Sequence, residues 1–155
     1  MANEFETEGI IVGAGTATFN GVGPALRGTE LDSGHRVLPA PFTSGGAAAW
    51  ETVDTFNVTL SLDGSMLVVA SVEVEAAAAV AVAPKFRLRV AGNNGAEMSV
   101  DLLATQEAAC VPLNHIHPGL TAGTIAVDLQ VQDDGVTAVQ VNAAIIDAIG
   151  LVQKG

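Results

Sequence analysis

The chain predicts an all-β fold, an antiparallel sandwich, and three observations carry that prediction. Apolar and polar residues alternate along Phe56–Leu62, Phe86–Val90 and Ile125–Gln132. A period of two puts every second side chain on one face, as in a half-buried antiparallel strand. Turn signals such as Asp63-Gly64-Ser65 and Asp133-Asp134-Gly135 break the apolar runs at short spacing, which suits a sandwich or barrel of roughly seven to nine strands. The third observation is composition: 49% of residues are hydrophobic but only 4% aromatic. A core of Val, Ala, Leu and Ile fits thin, closely packed sheets. The 155 residues suit one domain with a core large enough to need no disulfide.

Taken in order, residues 1–50 are rich in Gly, Thr, Pro and Ala, with one short strand at Ile10-Ile11-Val12. Glycines and prolines from Gly21 to Gly46 leave room for little regular structure. The segment is expected to be an extended N-terminal arm, laid over its own domain or a neighbour, with the sandwich domain occupying residues 51–155. A three-residue loop at Asp63–Ser65 would set Leu62 opposite Met66, Leu60 opposite Val68, Val58 opposite Ala70 and Phe56 opposite Val72. A two-residue turn would set core residues against polar ones. With Val68, Ala70, Val72 and Val74 inward, Leu67 and Val69 point outward and need a cover. Together with Ile10, Ile11 and Val12 they are the candidate subunit contacts.

Ala76 to Ala83 is alanine-rich, which by itself favours helix. Eight residues between strands, ending at Pro84, fit a loop or strand end better. Val72 and Val74 could pair with Leu88 and Phe86, setting Glu73 and Glu75 opposite Arg87 and Lys85. The Asp133–Gly135 loop would align Leu129 with Val139, Val127 with Val141 and Ile125 with Ala143. A jelly roll sends consecutive strands to opposite sheets; the inward parity then survives and these pairs do not. The sequence leaves both arrangements open.

Six basic residues against seventeen acidic ones, a net charge of −11, argue against nucleic acid and anionic membranes as partners. The acidity reads as a device that keeps an apolar-rich chain soluble. The single Cys110 excludes an internal disulfide, and its setting in Ala108-Ala109-Cys110-Val111 reads as a small buried thiol. The opening Met-Ala-Asn-Glu-Phe-Glu-Thr-Glu has neither a positive n-region nor an apolar h-region, so no secretory signal is recognised. Met66 to Ala83 is interrupted by Glu73 and Glu75 and is no membrane span.

Chemistry-bearing patterns are sparse. His115-Ile116-His117 is half of a metal site, since residues i and i+2 of a strand share a face. A third ligand is missing, and His35 lies far away in the arm. The pair reads as a polar strand end at a surface or subunit contact. No Gly-x-Ser-x-Gly elbow exists, and the nearest charged neighbour of Cys110 is Glu107. Gly13-Ala14-Gly15-Thr16-Ala17 lacks the third glycine and the helix of a dinucleotide fingerprint. Asp63-Gly64 and Asp133-Asp134-Gly135 lack the alternating ligands of a calcium loop and read as turns. Asp147, inside Ile145-Ile146-Asp147-Ala148-Ile149, reads as a solvated strand edge. No catalytic residue, metal or cofactor is expected.

The order of Phe56–Val74, Phe86–Gly92, His117–Val131 and the closing Ile145–Val152 resembles the small jelly-roll modules of virion proteins of tailed bacteriophages. These are capsid decoration (cement) proteins, head fibres and the heads of some tail fibres. The likeness covers about residues 53–152 and lies in rhythm, with no diagnostic motif and no functional residue to carry over. It implies a non-enzymatic structural protein of the virion, assembled in the host cytoplasm. Its partners would be itself, as a homotrimer, and the major capsid protein, with the arm reaching a neighbour. The alternative is a receptor- or glycan-binding head of a phage fibre. That function needs an exposed aromatic groove, which five Phe and one Trp scarcely supply. A third reading, a small cupin-like barrel, would use His115 and His117 on a metal.

Overall fold

The alternating segments form two antiparallel sheets stacked as a sandwich, seen in a computed structural model that describes residues 10–13, 16–19, 32–76, 78, 80–102 and 108–152. In chain order the strands are β1 (Ile10–Gly13), β2 (Thr16–Phe19), β3 (Ser33–Val37), β4 (Phe42–Thr43), β5 (Glu51–Leu60), β6 (Gly64–Ala76), β7 (Lys85–Val90), β8 (Asn93–Asn94), β9 (Met98–Ser99), β10 (Ala108–Leu120), β11 (Gly123–Gln132) and β12 (Val139–Val152). The first sheet runs β10-β6-β12-β3, with β4 also on β12. The second runs β5-β11-β7-β8, with β9 also on β7. β1 pairs with β2 alone, Ile10 opposite Phe19. Among the described residues there is no helix, and of the alanine-rich stretch after β6, residues 78, 81 and 82 are bends.

Inward parity follows the sequence reading. Val58 and Leu60 of β5, Met66 to Val74 at every second position of β6, Phe86, Leu88 and Val90 of β7, and Val127, Leu129 and Val131 of β11 are all buried. The hydrogen-bonded pairs do not follow it. β5 bonds to β11, with Val58 opposite Ile125, and β6 bonds to β10 and β12. The Leu60–Val68, Val72–Leu88 and Leu129–Val139 pairings therefore do not form. Each acidic turn carries the chain from one sheet to the other, so successive strands meet across the core instead of along a backbone ladder. The Asp63 carboxylate accepts the Ala122 N–H at 2.6 Å, tying the β5–β6 corner to the β10–β11 corner. Lys85 and Arg87 find Glu97, at 3.3 and 4.0 Å, instead of Glu75 and Glu73.

A bulge near Asn142 shifts the β12 register against β6: Val141 faces Val74, while Ala143 faces Glu73. The extra residue moves inward parity from Val139 and Val141 to Ala144, Ile146 and Ala148. Ala143 is thereby turned outward, away from the expected place beside Ile125.

The arm boundary also moves. Residues 33–37 and 42–43, read on the sequence as part of the extended arm, are strands hydrogen-bonded to β12. Gly34 lets β3 lie close over β5: a Cβ there would sit 2.6 Å from Val58 Cγ2 and 2.8 Å from Phe56 Cε2. Beside it Arg36 reaches across the sandwich and donates twice to Asp54, at 2.6 and 3.1 Å. This fork-on-carboxylate geometry clasps the two sheets at one edge. At the opposite edge of the first sheet lies β10, which among the described residues pairs only with β6 and which contains Pro112 and Pro118. Proline is tolerated there because an edge strand has one row of donors unused by its own sheet.

Candidate interaction face

The outer face of the first sheet is aliphatic. Register places Ile116, Leu67, Ile149 and Ser33 in one row across β10, β6, β12 and β3. The next row is Asn114, Val69, Asp147 and His35, and the one after it Pro112, Ser71, Ile145 and Val37. Leu151 opposite Ser65 extends the face beyond Ile149. Val37, Val69, Ile116, Ile145 and Leu151 are all large, exposed hydrophobics, and Ile116 is 60% exposed. Single exposed aliphatics are ordinary; here several share one face. Leu67 and Val69 thus point outward as read, Leu67 half-buried among its row and Val69 exposed. The side chains of Ile10, Ile11 and Val12 lie outside the described residues.

The outer face of the second sheet is built on another plan. Thr55 and Arg89 flank Asp128, and Thr52 and Arg87 flank Gln130, across β5, β11 and β7. Thr55 Oγ1 donates to Asp128 at 2.7 Å, and Arg89 stands 3.7 Å from the same carboxylate. Arg87 donates to Gln130 at 2.8 Å and its guanidinium lies 3.8 Å above the Trp50 ring. These polar groups satisfy one another. The stacking also occupies one face of the only tryptophan.

Several sequence candidates land elsewhere than expected. Cys110 is exposed, not buried. It points outward from edge strand β10, 3.1 Å from Ser71 Oγ, in a shallow depression with Glu73, Ala143 and Ile145. Its alanine neighbours suggested a core, but the parity of β10 turns the thiol away from Val111 and Leu113, which are the buried positions. Asp147, read as a solvated strand edge, lies on the outer face of the interior strand β12, opposite Val69 and His35. It accepts a hydrogen bond from His35 Nδ1 at 2.6 Å, a pairing of residues 112 positions apart that no local motif announces.

His115 and His117 lie opposite Val68 and Met66, so they face the interior at the β10 edge. Their ring centroids are 5.9 Å apart. Asn93 Nδ2 lies 3.3 Å from His117 Nε2, whereas His115 Nε2 is buried with no hydrogen-bond partner among the described residues. Burial, then the neighbouring His117, holds the His115 pKa below its ordinary value. Gly95 makes room for this ring, since a Cβ there would stand 2.9 Å from His115 Cγ. Among the described residues no three His, Cys, Asp or Glu side chains are grouped to hold a metal.

The Asp133-Asp134 turn acts through its carboxylates. Buried Asp133 accepts the N–H groups of Gly46, Ala48 and Gly135 at 2.8, 3.1 and 2.9 Å. Burial pushes its pKa up, but hydrogen bonds from Ser44 and these amides outweigh that and hold it below the ordinary value. Asp134 is lowered as well, first by the Thr137 and then by the Val136 amide. The turn fastens the segment after β4 to the end of β11.

No protein-family model matches the chain, and no curated protein sequence matches it. Solved structures similar to it share its sandwich. Latent PorU from Porphyromonas gingivalis is 13% identical over 78% of this chain and 13% of its own, with a TM-score of 0.45. The C-terminal CBM6 of the marine laminarinase LamC from Zobellia galactanivorans is 16% identical over 73% of this chain and 98% of its own, at 0.42. The carbohydrate-binding module CBM36, in complex with calcium and xylotriose, is 11% identical over 72% and 97%, at 0.40. The chain spans a fifth or less of the first three structures it matches, at 13%, 20% and 18% of their lengths. The likeness is one of fold, a jelly-roll-like β-sandwich.

Proposed function

We propose that the protein is a non-enzymatic structural component of a bacteriophage particle, a capsid decoration protein that acts as an oligomer and stabilises the shell through protein–protein contacts. The observation that supports this most is the aliphatic outer face of the first sheet, with Val37, Val69, Ile116, Ile145 and Leu151 exposed together. Removing such a surface from water is favourable at about 25 cal/mol per Å², so the face works by being covered. The resemblance to phage jelly-roll modules supplies the setting and the major capsid protein as partner. Many weak contacts repeated over a lattice then act together. The glycan-binding alternative has less to stand on, because Trp50 is already stacked under Arg87.

The decisive experiment mixes the purified full chain with empty shells of a candidate phage and sediments them. The protein is expected to travel with the shell and raise its melting temperature. A chain that stays in the supernatant with every shell tried, and leaves their melting unchanged, sinks the reading. Deleting residues 2–31, which leaves β3 in place, is expected to lower shell occupancy if the leader reaches a neighbour.

A further inference from the structure

We infer that the aliphatic face is covered by a second copy of this chain, laid face to face on the same rows. Charge is the first argument. The chain carries seventeen acidic residues and a net charge of −11, so two copies repel wherever acids meet. The three full rows and the Leu151 extension hold a single acid, Asp147, and His35 stands 2.6 Å from it. Glu73 and Glu75 lie beyond these rows, toward the other end of β6. An acid-poor window of this kind is what self-contact between strongly acidic molecules requires; a basic partner would be better served by acids within it.

Area is the second argument. Three full rows across four strands and the Leu151–Ser65 pair beyond them, with strands about 4.8 Å and rows about 6.8 Å apart, cover about 460 Å² per copy, so a pair would bury about 900 Å², the size of a weak, concentration-dependent interface. The manner of contact is set by the edge. Pro112 and Pro118 each lack an N–H, which obstructs extension of the sheet past β10 by strand addition and leaves the face. Pairing one surface with itself closes at two copies, so larger assemblies built on this contact hold even numbers.

This inference rests on the assembly reading only in taking the chain to be oligomeric, and its test needs no shell. Sedimentation of the full chain from low to high micromolar concentration is expected to show a monomer–dimer equilibrium. Added sodium chloride should tighten it by screening the repulsion between copies. Ile116→Glu should weaken the dimer by about tenfold or more, whereas Thr59→Glu, on the outer face of the second sheet, should leave it intact. Both positions are exposed, and an unchanged melt confirms the fold. A trimer, a monomer at all concentrations, or an Ile116→Glu mass equal to that of the parent overturns the inference. So does a monomer that dimerises only after residues 2–31 are deleted, which would make the leader the cover. Dimerisation without shell binding would sink the decoration reading and leave this one standing.

Discussion

The two sheets share one core and differ on their outsides. β11, central to the second sheet, shows outward Thr124, Ala126, Asp128, Gln130 and Gln132, of which Asp128 and Gln130 are hydrogen-bonded to side chains of β5 and β7. β6, central to the first, shows Leu67 and Val69 outward before Ser71 and Glu73. Folding requires only the inward half of each strand to be apolar. The outward half is free to vary, and β6 and β11 differ there.

The largest expected effect tests whether the core is truly common. Leu129→Ala, at a fully buried position of β11, should cost about 2–5 kcal/mol in urea unfolding. A loss near zero would show that the second sheet is no core layer. The clasp between sheets comes next. Asp133→Ala leaves the amides of Gly46, Ala48 and Gly135 without their acceptor and should cost about 2–3 kcal/mol. The same urea titration checks it, and an unchanged midpoint would mean that the turn holds nothing.

A third prediction sets the β10 edge against the β3 edge. The His115 pKa is lower folded than unfolded, so the unfolded chain binds more protons at mildly acidic pH. Stability should therefore decline as pH falls through about 6.5 toward the lower folded value. Asp133 and Asp134 are also lowered, and their contribution is lost only as pH falls below about 4. Urea midpoints measured across pH should show two separate declines, and His115→Met should flatten the first alone. The smallest effect concerns the outer faces themselves. Val69→Thr and Thr59→Val should each change stability by about 0.5 kcal/mol or less, yet shift self-association in opposite directions when followed by light scattering.

Parity was legible in the sequence because it is local: Phe86, Leu88 and Val90 need only each other to show which side is inward. Pairing was not. An Asp-Gly corner has the same turn chemistry whether the next strand joins the same sheet or the facing one, so Asp63 could not show which strand β6 would join. The strands the sequence did not announce were those with unusual residues. β3 is hidden by Gly34 and His35, and β10 by two prolines and two histidines. Leu67 and Val69 could be singled out because they break the alternation of their own strand. Ile116, Ile145 and Val37 joined them only once three more strands were in register. The Asn142 bulge shifted the rest of β12 without any glycine to mark it.

The start of β3 is fixed to the sandwich at Asp32. Asp32 accepts the Ser61 N–H and hydroxyl at 2.6 and 2.8 Å, its carbonyl accepts the Gly150 N–H at 2.7 Å, and five residue pairs then join β3 to β12. A tension drawn through the leader along the strand direction would load those ladder rungs and the Arg36 clasp in parallel, as shear, instead of peeling them singly. β3 is therefore held by the stiffest kind of anchorage a sheet can offer.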